Sequence, residues 1–386
     1  MERIPLHANP TGKALALTAM GLLAIGVVMV HSAVASVGES GAWYARVEVR
    51  HTGFAIAAAL VLLTAWRIDY RLLTRCRRVP MVPGAALVLA LLCGVAVFVP
   101  GVGRAVGGDY RWIRIGPEQY SIGFQPSELI KFSLVVFLAA WLARKDAGEI
   151  RSFRRTFLPA AGIIAVALAL VITQDFGTGL LIAIAAGMVL LLAGVPLWQL
   201  GLLIPPAVGA FYVLVVQNER RWARITAMLD PWSPTNPSAY QPAQSLQAII
   251  SGGWFGRGPG NGMHKLGFLP EDSTDFIFSI LCEEWGLLGA AMLMGLIALW
   301  ALLTARAAAG SGEPFGSLLA GSLGFLIAVQ AILHIAVALV VAPPTGMSMP
   351  FVSAGGTGLL MMAAAAALIV SVTSRSGPPP VPEPSE

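Results

Sequence analysis

The sequence predicts an all-α polytopic membrane protein with about ten transmembrane helices and a large extracytoplasmic loop between spans seven and eight. Three observations carry that expectation. Hydrophobic residues make up 56% of the 386 residues and charged residues only 12%, with a mean hydropathy of +0.75; a soluble domain carries about a quarter charged residues. Apolar runs long enough for a crossing, roughly 20 residues, recur along the chain. The short segments between them are dense in arginine.

Taken in order, the expected spans lie near 14–36, 52–67, 82–100, 126–143, 157–173, 178–194, 197–216, 276–304, 316–341 and 352–373. The first apolar run, from Leu15 to about Val37, is too long for the core of a cleavable signal peptide and reads as a retained span. Spans six and seven part only at "GVP" (194–196), a tight turn. "RIDYRLLTRCRRVP" (67–80) and "RKDAGEIRSFRRT" (144–156) each follow an even-numbered span. The positive-inside rule therefore puts both loops, and both termini, in the cytoplasm. Segments 101–125 and 217–275 then fall outside. The second is long for a loop, and Trp222, Trp232 and Trp254 among its Gly and Pro turns argue against disorder. Residues 1–374 are expected to form one transmembrane domain, and 375–386, rich in proline, a disordered tail.

Cys76, Cys93 and Cys282 are scattered, with neither a disulfide framework nor metal-ligand spacing. The net charge of +5 lies between spans rather than on a soluble face, which excludes nucleic acid as a partner.

Ionisable groups within spans are costly and mark functional candidates. In "FQPSELIKF" (124–132), Glu128 and Lys131 share one helical face, as a structural ion pair or as the charged wall of an outward-facing cavity. Asp175 in "ITQDFGTG" (172–179) reads as the cap of span six, helped by Thr178, or as a chemical group. His31 and His334 stand alone on apolar helices and read as hydrogen-bonded core histidines. Arg220, Arg221, Arg224, Arg257 and Lys265, with Arg111 and Arg114, are cations on the outer side. They suit an anionic ligand, most naturally phosphate or pyrophosphate, or serve as partners for Glu219, Asp230, Glu271 and Asp272 or for lipid phosphates. "SGGWFGRGPGNG" (251–262) is glycine-rich without a nucleotide fingerprint. Asp275 is the last polar residue before span eight, and Ser279 and Glu283 continue a polar stripe at i+4 and i+8. A partly desolvated carboxylate at a cavity mouth suits a general base, and a helix cap is equally open.

"RWIRIG" (111–116), "FQPSELIKF", "TQDFGTGLLI", "YQPAQSLQAIISGGWFGRGPGNG" (240–262), "HKLGFLPEDSTDFIFSILCEEWG" (264–286) and "PPTGMSMPFVSAGGTGLL" (343–360) follow one another in this chain. Together they resemble the SEDS family (shape, elongation, division and sporulation) of bacterial cell-wall proteins, over nearly the whole length. The resemblance implies a peptidoglycan glycosyltransferase of the bacterial cytoplasmic membrane, polymerising lipid II into glycan strands on the outer face. It implies Asp275 as the catalytic carboxylate, and Glu128, Lys131 and Arg111 as residues of the substrate site. Arg224 and Lys265 join them as cations for the departing pyrophosphate, and Gln244, Ser245 and Glu271 fall in matching motifs as further substrate-binding candidates. A divalent cation such as Mg²⁺ is the one cofactor it brings into question. The implied partners are lipid II and the growing lipid-linked glycan, a class B penicillin-binding protein acting as transpeptidase, and other elongation or division proteins. Ala354, His264 and His334 depart from the family's usual residues, and "VQAILHIAV" (329–337) leans toward the division branch. A lipid II flippase and a non-catalytic scaffold are the rival readings. Glu283 and Glu284 are expected to be structural groups below the site.

Overall fold

A computed structural model of the chain describes residues 5, 8–34, 46–74, 80–106, 109–115, 122–271 and 273–375. Cys76 and the tail from 376 lie outside the described residues; Arg375, expected in that tail, is buried and ion-paired with Asp69 at 3.3 Å.

The first helix, α1 (Pro10–Val34), starts four residues before its expected span. Asn9 accepts from Gly12 N–H at 3.0 Å and donates to Thr373 Oγ1 at 2.9 Å, capping one helix while gripping the end of another. α2 (Val47–Ala65) and α3 (Met81–Ala96) follow. Segment 103–124, expected as a loop of an all-α protein, instead forms a three-stranded antiparallel sheet: β1 (Gly103–Val106), β2 (Asp109–Ile115) and β3 (Ile122–Phe124). Ile113 of β2 stands opposite Gly103 on one side and Phe124 on the other. The cause is local composition, since "DYRWIRI" is rich in aromatic and β-branched residues and too short for a span.

Past the sheet, α4 (Pro126–Leu142) enters the bundle. A short α5 (Ala147–Ile150) and a π turn at 153–157 lead to α6 (Leu158–Val171), and α7 (Phe176–Ala193) runs up to the "GVP" turn. The seventh expected span is broken into α8 (Leu197–Gly201), α9 (Ile204–Phe211) and a π turn at 212–216. Pro205 and Pro206 have no N–H to bond the preceding turn, which accounts for the break. This segment is also the least buried of the membrane-spanning elements.

The expected 217–275 loop contains α10 (Glu219–Leu229) and α11 (Tyr240–Gly252). The chain closes with α12 (Ile277–Ala309), α13 (Pro314–Ala338) and α14 (Gly356–Thr373). Among the described residues eight segments are long and apolar enough to cross a membrane, with α3 and α4, at 16 and 17 residues, packed on one another beside them. The chain is a multi-pass membrane protein.

The opposite end of the bundle from the sheet is tied by polar contacts. Arg71 pairs with Glu313 at 2.9 Å, and Tyr70 donates to the same carboxylate at 3.2 Å.

α12 has 33 residues and a break at Gly286, whose φ of 65° and ψ of −163° only glycine adopts readily. The part beyond the break, 287–309, is about 34 Å long at ~1.5 Å per residue and suffices alone to cross a hydrocarbon core of about 30 Å. Glu283 and Glu284 therefore belong to the segment nearer the sheet end, where segment 253–258 folds in against the break. Leu287 N–H donates to Gly253 O at 2.9 Å, and Arg257 N–H to Glu283 O at 2.9 Å. The backbone groups released by the kink are thus paired again.

Both carboxylates are fully engaged. Glu283 accepts from Met263 N–H at 2.8 Å and stands 3.0 Å from His264 Nδ1. Glu284 accepts from Lys265 Nζ at 2.8 Å, Ser32 Oγ at 2.7 Å and Gly260 N–H at 3.0 Å. They fasten the 251–265 segment to α12 and α1, the structural role expected of them. Removing one partner of a buried ion pair costs about 3–5 kcal/mol. Glu284→Ala is therefore expected to lower the thermal unfolding midpoint in detergent sharply. The paired change Lys265→Met with Glu284→Leu, which strands no charge, is expected to lower it less.

Candidate active site

At the sheet end, β2, α4, α7, the segment before α12, α13 and the 346–358 stretch enclose a cavity of about 220 Å³. Of the residues singled out from the sequence, Arg111, Glu128, Lys131, Glu271 and Asp275 line it, together with Asp175.

Lys131 sits in the second turn of α4 and is 1% exposed. Its ammonium donates to Glu128 Oε1 at 2.8 Å and to Gln330 Oε1 of α13 at 2.7 Å. Gln330 passes the constraint on, donating to Ser348 O at 2.8 Å. One turn along α13, the His334 Nδ1 atom lies 2.9 Å from Met347 O; facing a carbonyl, it is the nitrogen that carries the proton. Two residues of one helix face thus hold the strap 345–348 across the cavity. His334 is the hydrogen-bonded core histidine expected. His31 is not: it is exposed, with Nδ1 2.9 Å from Val27 O of its own helix.

Gly346 of the strap has φ +72°, and a Cβ there would stand 3.6 Å from Asp275 Oδ2 and 3.7 Å from Arg111 Nη1. The carboxylate and the guanidinium therefore both lie beside Gly346, whose left-handed φ is the conformation that favours glycine. Asp275 is fixed from behind. Its N–H donates to Glu271 O at 2.9 Å, Ala354 N–H donates to Ser273 O at 3.0 Å, and Ser353 Oγ donates to Thr274 O at 2.6 Å. Arg111 is held by Gln174 O, 2.9 Å from its Nε, and by Asp175 at 3.7 Å.

The two aspartates at the cavity differ in their surroundings. Asp175 caps α7, accepting from Thr178 N–H at 3.0 Å and Thr178 Oγ1 at 2.9 Å, so the cap expected from sequence is present and also forms cavity wall. Asp275 accepts no hydrogen bond on its carboxylate from the described residues. Desolvation raises its pKa to about 7, helped by the neighbouring charges of Glu271 and Asp175 and opposed by Arg111 and Arg224.

Four candidates stand elsewhere. Lys265 is buried against Glu284, as described, and lines neither this cavity nor the adjoining one. Ser245 is buried on α11, bonded to Ser279 Oγ and Ala338 O at 2.6 Å each, and half-buried Gln244 lies beside it; neither lines the two cavities. Arg224 lines the adjoining cavity. Gln330, Gly346 and Ser348 were not singled out from the sequence. A glutamine inside an apolar span was the available signal for the first; the strap lies within the motif "PPTGMSMPFVSAGGTGLL", but no periodicity places it over the cavity. Among the described residues no group of three or more His, Cys, Asp or Glu side chains is placed to hold a metal. The acidic side chains of the cavity are turned to separate partners, Glu128 to Lys131 and Asp175 to Thr178 and Arg111, rather than converging on one point as a divalent cation requires.

The family of cell cycle proteins FtsW, RodA and SpoVE matches residues 13–377. The chain belongs to that family. A probable peptidoglycan glycosyltransferase FtsW from Saccharophagus degradans is 35% identical over 353 residues, covering 88% of this chain and 86% of that protein. The FtsW relative from Geobacter sulfurreducens is 33% identical over 364 residues, covering 93% and 94%. Among solved structures, a chain from a peptidoglycan synthase complex that coordinates polymerization and crosslinking superposes with a TM-score of 0.71 at 25% identity, covering 93% of this chain and 96% of that one. Thermus thermophilus RodA shares the fold at a TM-score of 0.63, covering 94% and 96%.

A raised carboxylate pKa also has a stability consequence. Between about pH 4, the ordinary aspartate value, and about 7 the folded state binds the proton that the unfolded state has lost. Ionising Asp275 therefore removes stability as pH rises through that window. Asp275→Asn is expected to raise the melting temperature at pH 8, with the gain shrinking toward pH 4, as read by thermal scans at both values.

Proposed function

We propose that the chain is a peptidoglycan glycosyltransferase that polymerises lipid II at the outer face of the bacterial cytoplasmic membrane. The single observation that carries this reading is Asp275, a desolvated carboxylate with no hydrogen-bond donor among the described residues, which shares one cavity with Arg111 beside Gly346. The family resemblance and the names of the relatives support it. The arginine-dense segments 67–80 and 144–156 support placing the opposite end, with both termini, in the cytoplasm.

In this reading the C4 hydroxyl of the acceptor sugar approaches Asp275, whose carboxylate takes its proton. The oxygen attacks the anomeric carbon of the donor from the face opposite the leaving diphosphate, giving inversion, by analogy with inverting glycosidases. The diphosphate is already a good leaving group, so cations rather than an acid meet its growing charge. Arg111 is positioned for that. Lys131 is held by Glu128 and Gln330, and keeps the cavity wall in register. The relatives named FtsW support a place in division rather than elongation. The likeness to a synthase complex supports a class B penicillin-binding protein as partner.

Purified protein with its transpeptidase partner is expected to polymerise lipid II, and Asp275→Ala to abolish polymer while retaining the folded elution profile. Full polymerisation by that variant rules out the base, and labelled lipid II crossing liposomes without polymer favours a flippase. The proton-accepting form is the ionised one, so the rate should fall about tenfold per pH unit well below the pKa, with a midpoint near the value of about 7. A rate independent of pH between 5 and 8 contradicts the assignment.

A further inference from the structure

A second cavity, also of about 220 Å³, adjoins the first and shares Arg111 and Asp175 with it. Its character is different. Four arginines, Arg111, Arg220, Arg221 and Arg224, line it against the single carboxylate of Asp175. That carboxylate is already satisfied by Thr178 and Arg111. Arg221 is an anchor: it donates to Leu214 O at 3.1 Å and to Thr173 O, tying α10 to the π turn and to the turn between α6 and α7. Arg220 and Arg224 stand four residues apart on one face of α10. The remaining wall is mostly apolar, with Phe211 and Val215 of the broken span among its residues, and carries Thr173, Asn218 and Thr345 as its uncharged polar groups. The same span turns Val208 and Tyr212, 61% and 56% exposed, toward the membrane.

A pocket with an arginine wall on one side and a membrane helix on the other fits a diphosphate joined to a long apolar chain. We propose that this second cavity seats the polyprenyl diphosphate of the donor, and that the first seats the acceptor sugar. The inference rests on the glycosyltransferase reading and goes beyond it by dividing the two substrates between two cavities, with Arg111 standing in both. In the transfer, the bond from the acceptor oxygen to the anomeric carbon forms as the bond from that carbon to the phosphate oxygen breaks. The hydroxyl proton goes to Asp275, and the electron pair of the broken bond leaves on the phosphate oxygen. Arg111, Arg220 and Arg224 meet that added charge. Arginine suits the task because its planar fork matches phosphate oxygens two at a time.

The test uses the full chain in phosphatidylcholine nanodiscs, with a fluorescent farnesyl diphosphate as probe. Competitors are inorganic pyrophosphate and phosphatidylglycerol, which separate a lipid diphosphate from a free one and from an ordinary lipid phosphate. Combined Arg220→Gln and Arg224→Gln substitution is expected to weaken probe binding tenfold or more, because the charged hydrogen bonds to the diphosphate oxygens are lost. Asp275→Asn is expected to leave it unchanged. Neither competitor should displace the probe at equal concentration. Unchanged binding by the double arginine variant, equal loss in Asp275→Asn, or displacement by either competitor overturns the assignment. If the protein binds the probe as described but makes no polymer, the glycosyltransferase reading fails, the donor and acceptor roles fail with it, and only the seating of a lipid diphosphate in the second cavity stands. If the double arginine variant polymerises lipid II at the unaltered rate, the cavity assignment fails alone.

Discussion

A lysine ammonium that is 1% exposed inside a membrane protein has to be neutralised where it stands, and that demand organises the sheet end of this bundle. An unpaired buried charge costs several kcal/mol, so Lys131 draws Glu128 from its own helix and Gln330 from α13. Gln330 has a second hydrogen-bonding group to satisfy and takes the carbonyl of Ser348. The strap is thereby held over the cavity, with Gly346 beside Asp275 and Arg111. The ion pair in the core and the chemistry at the rim are parts of one hydrogen-bonded chain.

The carboxylates of this region divide by environment. Glu128, Asp175, Glu283 and Glu284 each have close donors or cations, and each fastens one element to another. Asp275 alone among them is left without a hydrogen bond from the described residues while being desolvated at a cavity. Groups of one chemical type acquire distinct tasks through what surrounds them, and the one left unsatisfied is the one suited to move a proton. The kink at Gly286 serves the same division. It ends the membrane-crossing part of α12 below Glu283 and Glu284, so two acids that would be prohibitive in hydrocarbon lie among backbone N–H donors instead.

Much of this was legible in the sequence, and the reasons for the exceptions are physical. The spans follow from apolar length, and the Glu128–Lys131 pair from helical spacing, because both are local properties. Asp175 as a cap was readable from the Thr178 three residues on. What could not be read were contacts between distant segments. Lys265 reads as a cation facing substrate until Glu284 and Ser32, from two other elements, are brought to it. Gln244 and Ser245 fall in one of the motifs that carry the family resemblance, yet their helix turns Ser245 onto Ser279. The sheet was obscured because its strands are shorter than any span and sit in a stretch that reads as loop. The strap had no periodic signal at all, since its position is set by two side chains of α13.

The central claim is that Asp275 is a carboxylate held ready to accept a proton near neutral pH. Its titration can be observed directly. Infrared difference spectra of the purified protein across pH 4 to 9, with Asp275→Asn as the reference, isolate the protonated carboxyl band of this residue. A band that disappears with a midpoint near 7 is the expected result. A midpoint near 4, the value of an ordinary exposed aspartate, contradicts the account.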